Sequence, residues 1–213
     1  AERIQVLPNP VAAEDLQPTR APDEVRSELG AEINTPIVGT FAHLSEKKGW
    51  RELMQAIPHV LEKQPQTQFW CVGDGPMRDE LQQRAEAGGF APNVKFLGFR
   101  RDVADVMNAI DVMALPSHRE PFGIVYVEAA LLNKPVVACN AGGAPDVVAD
   151  GVTGRLIPSG DAGALAQVLV ELLGDRAQSA QMGRAGRERA LDLFGWEAFL
   201  PRLEAVYQAA MSK

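Results

Sequence analysis

Short apolar runs alternate with amphipathic helical segments along most of this chain, and that alternation limits the fold more than any other feature. The runs span residues 36–42, 67–73, 93–98, 111–116, 134–139 and 154–158. Most of them are continuously apolar, as a strand must be when helices cover both faces of its sheet. The alternation predicts an α/β fold with a doubly wound parallel sheet of about six strands and right-handed crossovers.

The segments between the runs carry apolar residues at helical spacing. In the first of them, residues 49–63, Pro58 is expected to kink or break the helix. A later helix begins near Gly123 and ends near Asn133, a residue that tolerates the left-handed conformation of a C-terminal cap. After the sixth run three helices follow, the first with Asp161 as its N-cap. These trailing helices are expected to pack on the sheet or to extend toward a partner domain.

The amino-acid composition disfavours some classes of function. The chain has 213 residues, 46% of them hydrophobic, which is enough for one sizeable core. A net charge of -7 disfavours a general nucleic-acid binder, although a local basic pocket still suits a small anion. No Cys or His spacing indicates zinc, so no metal site is predicted. The chain starts at Ala1 without methionine and reads like part of a longer protein.

The two cysteines and the hydropathy of the chain indicate a cellular location for the protein. Cys71 and Cys139 each lie in an apolar run, as buried thiols of a reducing compartment do, although spacing alone leaves a disulfide between them open. No apolar stretch reaches the roughly 18 residues that span a bilayer, and no signal-peptide pattern opens the chain. These features predict a cytoplasmic protein without a transmembrane segment.

Chemistry-bearing residues follow five consecutive predicted strands. Because ligands bind outside the carboxyl ends of the strands in an open parallel sheet, these loops indicate a site. The loop sequences are "HLSEKKG" at 43–49, "GDGP" at 73–76, "FRRD" at 99–102, "PSHREPFG" at 116–123 and "NAGGAPD" at 140–146.

The segment "EPFGIVYVE", residues 120–128, places two carboxylates around a predicted helix start. Free N–H groups of the first turn at Gly123, together with the helix dipole, favour an anion there, and Lys48 adds a charge suited to phosphate. Glu128 lies in the apolar part of the helix, where an ionised carboxylate needs a partner. Ribose hydroxyls are one such partner. Glu120, on the far side of the phosphate position, is then placed to hold a second sugar.

Each of these residues also has a purely structural interpretation. Glu128 pairs, in that alternative, with an Arg or Lys of the trailing helices. Glu120 alone is more often a solvated loop residue, and His43 alone is more often a packed or surface histidine. Arg100 and Arg101 are compatible with a solvated turn, and "GDGP" with a tight turn before a helix.

Taken together, these segments resemble the retaining, nucleotide-sugar-dependent glycosyltransferases of family four. "EPFGIVYVE" matches their E-x7-E signature, and "VGTFAHLSEKKG", "VGDGPMRDEL", "VKFLGFRRDV", "DVMALPS" and "NKPVVACNAGGAPDVVADGVTGRLIP" match in family order. "VLPNPV" looks like the hinge segment that leads into this domain. The resemblance implies one half of a GT-B fold, with a Rossmann-like sheet. Its implied parts are an interdomain segment at 1–20, a nucleotide-sugar-binding domain at 21–195 and a C-terminal helix at 196–213.

The resemblance also implies roles for individual residues. Glu120, Lys48 and His43 are the implied catalytic residues, with Glu120 on the donor sugar and Lys48 on the diphosphate leaving group. Glu128 holds the ribose, and main chain at 99–101 flanks the base. The implied nucleotide-sugar-binding residues are Gly73, Phe99, Arg100, Arg101, Phe122, Gly123, Ile124 and Glu128. Transfer of a hexose to an acceptor hydroxyl with retention, without a cofactor or obligatory metal, is the implied reaction.

Three positions depart from the family pattern: His43 stands for arginine, Pro10 for glycine and Asp146 for glutamate. A histidine cannot bind phosphate bidentately. Either Lys48 therefore contributes more of the binding to the diphosphate, or activity is weakened. The acceptor-binding N-terminal domain of such enzymes is missing from this sequence, so the chain alone is expected to bind nucleotide-sugar with negligible turnover. Any peripheral membrane association is expected to depend on that domain. The alternatives are a non-catalytic nucleotide- or sugar-binding module and half of a GT-B-like epimerase or phosphorylase.

Overall fold

The computed structural model describes residues 6–211. Within that range the six predicted strands all form, and every pair of neighbours is parallel. The strands are β1 Ile37–Phe41, β2 Gln68–Val72, β3 Val94–Gly98, β4 Val112–Leu115, β5 Val136–Cys139 and β6 Gly154–Ile157. Residues 1–5 of the predicted interdomain segment and residues 212–213 of the predicted C-terminal helix lie outside the described residues.

Helices connect the strands and follow the last one. They are α1 Pro22–Glu28, α2 Trp50–Lys63, α3 Arg78–Ala87, α4 Val103–Asn108, α5 Ile124–Leu131, α6 Ala144–Val147, α7 Ala162–Gly174, α8 Arg176–Phe194 and α9 Trp196–Met211. Asn133 has a φ of 58°, so the left-handed cap expected beyond α5 is confirmed. The Asp161 side chain accepts a hydrogen bond from the backbone N–H of Ala164, which confirms it as the N-cap of α7.

The sheet is doubly wound. Its strand order is β3-β2-β1-β4-β5-β6, so the chain builds outward from β1 in one direction and then continues from β4 in the other. One apolar layer joins α2, α3 and α7 to one face of the sheet, and a second joins α1, α4, α5 and α8 to the other face. The point where the order reverses lies between β1 and β4, and ligands of such folds bind beside that point.

The structure decides part of two expectations about helices. Helix α2 runs through Pro58, so there is no break there, because buried Ile57 and Val60 hold the turns on either side of it against the core. Helix α9 has no buried residue among those described, so its apolar residues do not pack into the core of this sheet. Trp196, Leu200 and Tyr207 are all exposed. Of the two alternatives expected for the trailing helices, packing on the sheet holds for α7 and α8 and does not hold for α9.

Both cysteines are buried and neither forms a disulfide. Burial in the apolar layers raises the pKa of each thiol, since a thiolate would lose its hydration there. The interpretation as free thiols is confirmed. None of the described helices is long and apolar enough to cross a bilayer.

Candidate functional site

A cleft of about 500 Å³ lies at the carboxyl edge of the sheet, beside the point where the strand order reverses. The residues that line it are Phe41, Ala42, His43, Val72, Gly73, Asp74, Gly75, Phe99, Arg100, Val103, Val125 and Glu128. The sequence predicted His43, Gly73, Phe99, Arg100 and Glu128 as site residues, and the fold brings these five together. They come from three different loops and one helix, so only the tertiary fold makes them neighbours.

The Glu128 side chain lines the cleft. Its carboxylate has no hydrogen bond or ion pair with any side chain or N–H group in the described part of the chain, although the residue is half-buried. Burial raises its pKa, because the charged form is poorly solvated. The alternative of a pair with a trailing-helix cation is wrong, since Arg187 and Arg189 donate to backbone carbonyls instead. Glu128 is left open to the cleft.

Helix α5 begins at the same edge of the sheet. Gly123, its N-cap, has a φ of 92°, and a side chain there would overlap the ring of Tyr126. The backbone N–H groups of Ile124 and Val125 meet no carbonyl among the described residues. Such free first-turn donors, with the positive end of the helix dipole behind them, form an anion-binding arrangement. Val125 lines the cleft, so this helix start adjoins it directly.

Lys48 and Glu120 form an ion pair next to the helix start. The Lys48 Nζ lies 2.6 Å from the Glu120 Oε2, and the two side chains are 26% and 12% exposed. Neither residue lines the 500 Å³ cleft itself. The sequence predicted both as site residues but did not predict that they bind each other. A cation and a carboxylate thus lie beside the start of α5 and neutralise one another.

Two loops hold Lys48 in place. The carbonyl oxygen of Lys47 accepts hydrogen bonds from the backbone N–H of His118, at 2.9 Å, and from the Ser117 hydroxyl, at 3.0 Å. Gly49 packs so closely on Pro116 that a side chain would overlap its carbonyl. The loop after β1 is therefore fixed to the loop after β4, which carries Glu120.

The glycine pair of the loop after β5 holds Glu120 from the other side. The backbone N–H of Gly143 donates to the Glu120 carbonyl at 2.8 Å. Gly142 has a φ of 61°, and a methyl group at that position would overlap the same carbonyl oxygen. Both glycines are needed to let this loop approach the backbone of the site.

Gly73 forms part of the cleft floor. Its φ is 128°, and a side chain would overlap the carbonyl oxygen of Ala42 at the end of β1. His43, which follows Ala42 in the sequence, has an exposed side chain that faces the cleft with no partner among the described residues. Asp74 and Gly75, which belong to the quoted "GDGP" loop but were not singled out, line the cleft as well. The signal for them was present in the glycine spacing of that loop.

Some predicted site residues have other surroundings. The ring of Phe122 packs edge-to-face on Phe194 with centroids 5.4 Å apart, and Phe122 lines a separate pocket near residues 6–9. Arg101 is exposed and does not line the cleft. Arg100 is held by Asp102 and Glu28, so its guanidinium is not free. For Phe122 and Arg101 only main-chain contact with a ligand stays compatible with the predicted roles.

No group of three or more metal-binding side chains occurs within residues 6–211. Positive charge at the site comes from Lys48 and from the start of α5. The arrangement as a whole can bind an anion at the helix start and hydroxyl groups at Glu128.

Fold and cleft together define an α/β domain of the class that binds ligands at the switch point of a parallel sheet. A family model described as glycosyl transferases group 1 matches residues 22–189. The chain therefore belongs to the glycosyl transferases group 1 family, and the resemblance drawn from its motifs is confirmed.

Named relatives agree with this assignment. The chain is 34% identical over 215 residues to a GDP-mannose-dependent monoacylated alpha-(1-6)-phosphatidylinositol monomannoside mannosyltransferase of Corynebacterium glutamicum. That alignment covers 95% of this chain and 55% of the relative. It is 36% identical to a GDP-mannose-dependent alpha-(1-6)-phosphatidylinositol monomannoside mannosyltransferase of Mycolicibacterium smegmatis, over 79% of this chain and 46% of that one. The chain spans about half the length of the curated relatives it matches.

Solved structures show the same architecture. The crystal structure of Anabaena HepE with UDP and glucose superimposes with a TM-score of 0.86 at 32% identity, covering 96% of this chain and 57% of that one. Sucrose-phosphate synthase from Thermosynechococcus elongatus gives a TM-score of 0.86 at 29% identity, covering 98% and 53%. The predicted fold class, a Rossmann-like half of a GT-B fold, is confirmed.

Proposed function

We propose that this chain is the nucleotide-sugar donor-binding domain of a retaining glycosyltransferase that transfers a hexose to an acceptor hydroxyl. The observation that carries the proposal is Glu128: a half-buried carboxylate with no partner among residues 6–211, in a cleft at the switch point of the sheet. A carboxylate in that setting destabilises the free protein and gains hydrogen bonds when vicinal hydroxyls reach it. The ribose of a nucleotide supplies such hydroxyls.

The start of α5 is the proposed diphosphate site. Phosphate oxygens accept hydrogen bonds from the free N–H groups at Gly123 and Ile124, and the helix dipole favours their charge. With the diphosphate there, the ribose extends toward Glu128 and the base toward Gly73 and Phe99. The base then contacts main chain at 99–101. Residue 122 contributes its backbone N–H rather than its ring.

The Lys48–Glu120 ion pair is proposed to open when the donor binds. Sugar hydroxyls replace Lys48 at Glu120, and the diphosphate replaces Glu120 at Lys48, so each charged group exchanges one partner for another. As the glycosidic bond breaks, negative charge grows on the departing diphosphate. Lys48 and the α5 N–H groups then stabilise the transition state more than the ground state. His43, beside the cleft, assists when it is protonated. No obligatory metal or cofactor enters this proposal.

Turnover is proposed to need a second domain. The relatives are about twice as long as this chain, and the implied partner is their acceptor-binding N-terminal half. We expect the 213-residue chain to bind donor and to transfer sugar at a negligible rate. The buried free thiols of Cys71 and Cys139 support a reducing, cytoplasmic location.

Calorimetric titration with UDP, GDP and ADP tests the proposal. Binding of at least one nucleoside diphosphate, and its loss on adding high salt, is the expected result, because the diphosphate contacts are electrostatic. Relatives whose names mention GDP-mannose and a neighbour solved with UDP make those two bases the first to try. Binding of none of the three contradicts the proposal.

The second candidate is a non-catalytic binding module. Its supporting observation is His43, which leaves the cleft without the family arginine. A module of this kind would bind nucleotide or sugar, but the paired enzyme would transfer nothing. A phosphorylase half is not supported, since Lys48 is bound to Glu120 and has no setting for a pyridoxal phosphate imine.

Replacing Lys48 by methionine should weaken nucleoside diphosphate binding about tenfold, because the variant loses the mobile cation at the diphosphate and leaves Glu120 as an unpaired negative charge. The matched control is Lys47→Met. Lys47 is the adjacent lysine, its side chain is exposed, and only its backbone carbonyl holds the loop. Equal losses in the two variants, measured by calorimetry at the same ionic strength, would reduce the Lys48 effect to general electrostatics.

A further inference from the structure

A compact ionic network joins residues 19–20 to the loop that forms one wall of the cleft. The Arg20 guanidinium contacts three carboxylates, those of Glu28, Asp102 and Asp105. Glu28 ends α1, whereas Asp102 is the N-cap of α4 and Asp105 lies in the first turn of that helix. Arg20 thus ties the end of α1 to the start of α4.

Asp105 is the most buried member of the network. Its side chain is 7% exposed and accepts four hydrogen bonds. The Thr19 N–H and hydroxyl donate at 2.6 and 3.0 Å, and the Arg20 N–H and Nε donate at 3.0 and 3.2 Å. Burial by itself would raise the pKa of Asp105, but these hydrogen bonds outweigh burial and lower it. A buried carboxylate so fully satisfied fixes the backbone of residues 19–20 against α4.

The same network reaches the wall of the cleft through Arg100. Its guanidinium grips Asp102 with two hydrogen bonds, at 2.8 and 2.6 Å, and contacts Glu28 at 3.3 Å. Arg100 lines the cleft, and so does its neighbour Phe99, which is 79% exposed. At this exposure, contacts with other side chains do little to hold the Phe99 ring in place. The position of this wall is therefore set by how Asp102 is held.

We infer that Arg20 is a positioning residue for nucleobase binding, which it supports by fixing the 99–102 loop through Asp102. The inference rests on the proposed function, since it assigns the base to this wall of the cleft. Arg20 contacts no ligand in this assignment and acts only through Asp102 and Asp105. Arg20 is the last residue of the predicted interdomain segment, 1–20, so the network ties the end of that segment to the base-binding wall.

The location of Arg20 distinguishes a role in nucleobase binding from a role in the stability of the fold alone. Arg51 is a second arginine that pairs with two carboxylates, Glu46 and Glu80, and it lies away from the cleft. Loss of either arginine removes the same charge and a similar number of ion pairs. Loss of Arg20 removes a partner of Asp102, which holds Arg100 in the cleft wall, whereas Arg51 reaches a cleft loop only through the exposed Glu46. Arg51→Met is therefore the matched control for Arg20→Met.

The test combines binding with hydrogen exchange on the full 213-residue chain. UDP and GDP are titrated by calorimetry into native protein and both variants, well below their unfolding temperatures, and pyrophosphate serves as the base-free probe in competition. Arg20→Met should weaken the nucleoside diphosphates about tenfold, leave pyrophosphate within about twofold, and speed amide exchange at 97–102. Arg20→Lys should rescue little, because one ammonium cannot serve three carboxylates. Arg51→Met should leave all three ligands near their native affinity.

The outcomes separate the two proposals. Native nucleotide binding with no selective loss in Arg20→Met, or an equal loss for pyrophosphate, overturns the inference and leaves the proposed function in place. Absence of nucleotide binding by the native chain overturns the proposed function and this inference with it. If Arg20→Met fails to fold, Asp102→Asn with the same ligands replaces it, and an unchanged nucleotide affinity there also overturns the inference.

Discussion

Glu128→Ala is expected to weaken nucleoside diphosphate binding by about 1–3 kcal/mol, the value of a charge-assisted hydrogen bond to the ribose. The same substitution should make the free protein more stable. This carboxylate is half-buried, has no partner in the part of the chain that the structure describes, and has its pKa raised by burial. Removing it relieves a desolvated charge. Affinity and stability should thus change in opposite directions, as measured by calorimetry and by chemical denaturation.

The pH dependence of this stability change has a definite sign. The folded state holds the Glu128 proton more tightly than the unfolded state, so the penalty is fully present above the raised pKa and disappears below the ordinary glutamate value. The gain from Glu128→Ala should therefore shrink as the pH falls through that window. Glu204→Ala is the control, because Glu204 is an exposed helical glutamate in α9. A loss of stability in Glu128→Ala at neutral pH would return Glu128 to a structural role.

Gly142→Ala should lower the free energy of unfolding by about 2–5 kcal/mol. A left-handed φ of 61° is unfavourable for alanine, and the added methyl group would also overlap the carbonyl oxygen of Glu120. Gly160→Ala is the matched control. Gly160 has a φ of 81° with no atom near its missing side chain, so only the conformational penalty of about 1–2 kcal/mol applies.

The same variant tests how Glu120 is positioned. Relief of the overlap moves the backbone of Glu120, so a nucleotide-sugar should lose its affinity advantage over the free nucleoside diphosphate. Gly160→Ala should keep that advantage. Equal denaturation midpoints for the two variants would show that the loop after β5 does not hold Glu120.

The sheet was predictable because its strands are short, continuously apolar and separated by helices of clear periodicity. Each of the six predicted runs contains one observed strand. The edge of the sheet that carries the site followed from the same pattern, since parallel strands present all their carboxyl ends together. Glu128 followed from a local conflict, a carboxylate inside an apolar helix, that no neighbouring residue in the sequence resolves.

Contacts between distant residues were not predictable in the same way. Lys48 and Glu120 lie 72 positions apart, and Arg20 meets Asp105 over 85 positions. Nothing in the spacing of either pair indicates the contact, because several crossovers must close before the side chains meet. The sequence shows only that each charge needs a partner.

The surroundings of helix α9 were not predictable for a different reason. Its apolar residues have the spacing of a helix that packs on something, and that spacing does not specify what. Pro58 shows the converse: a residue that disfavours helix interiors is tolerated in α2 because buried neighbours outweigh the lost hydrogen bond. In both cases tertiary packing, which lies beyond local pattern, decided the outcome.

The central claim, that Glu128 binds the ribose of a nucleotide, is tested most directly by comparing two ligands on two proteins. UDP or GDP, whichever binds, is compared by calorimetry with its 2′,3′-dideoxy analogue, on native protein and on Glu128→Gln. If Glu128 grips the ribose, native protein should prefer the hydroxyl-bearing nucleotide about tenfold or more, and that preference should nearly vanish in the variant. The same preference in both proteins would contradict the placement of a nucleotide across the start of α5.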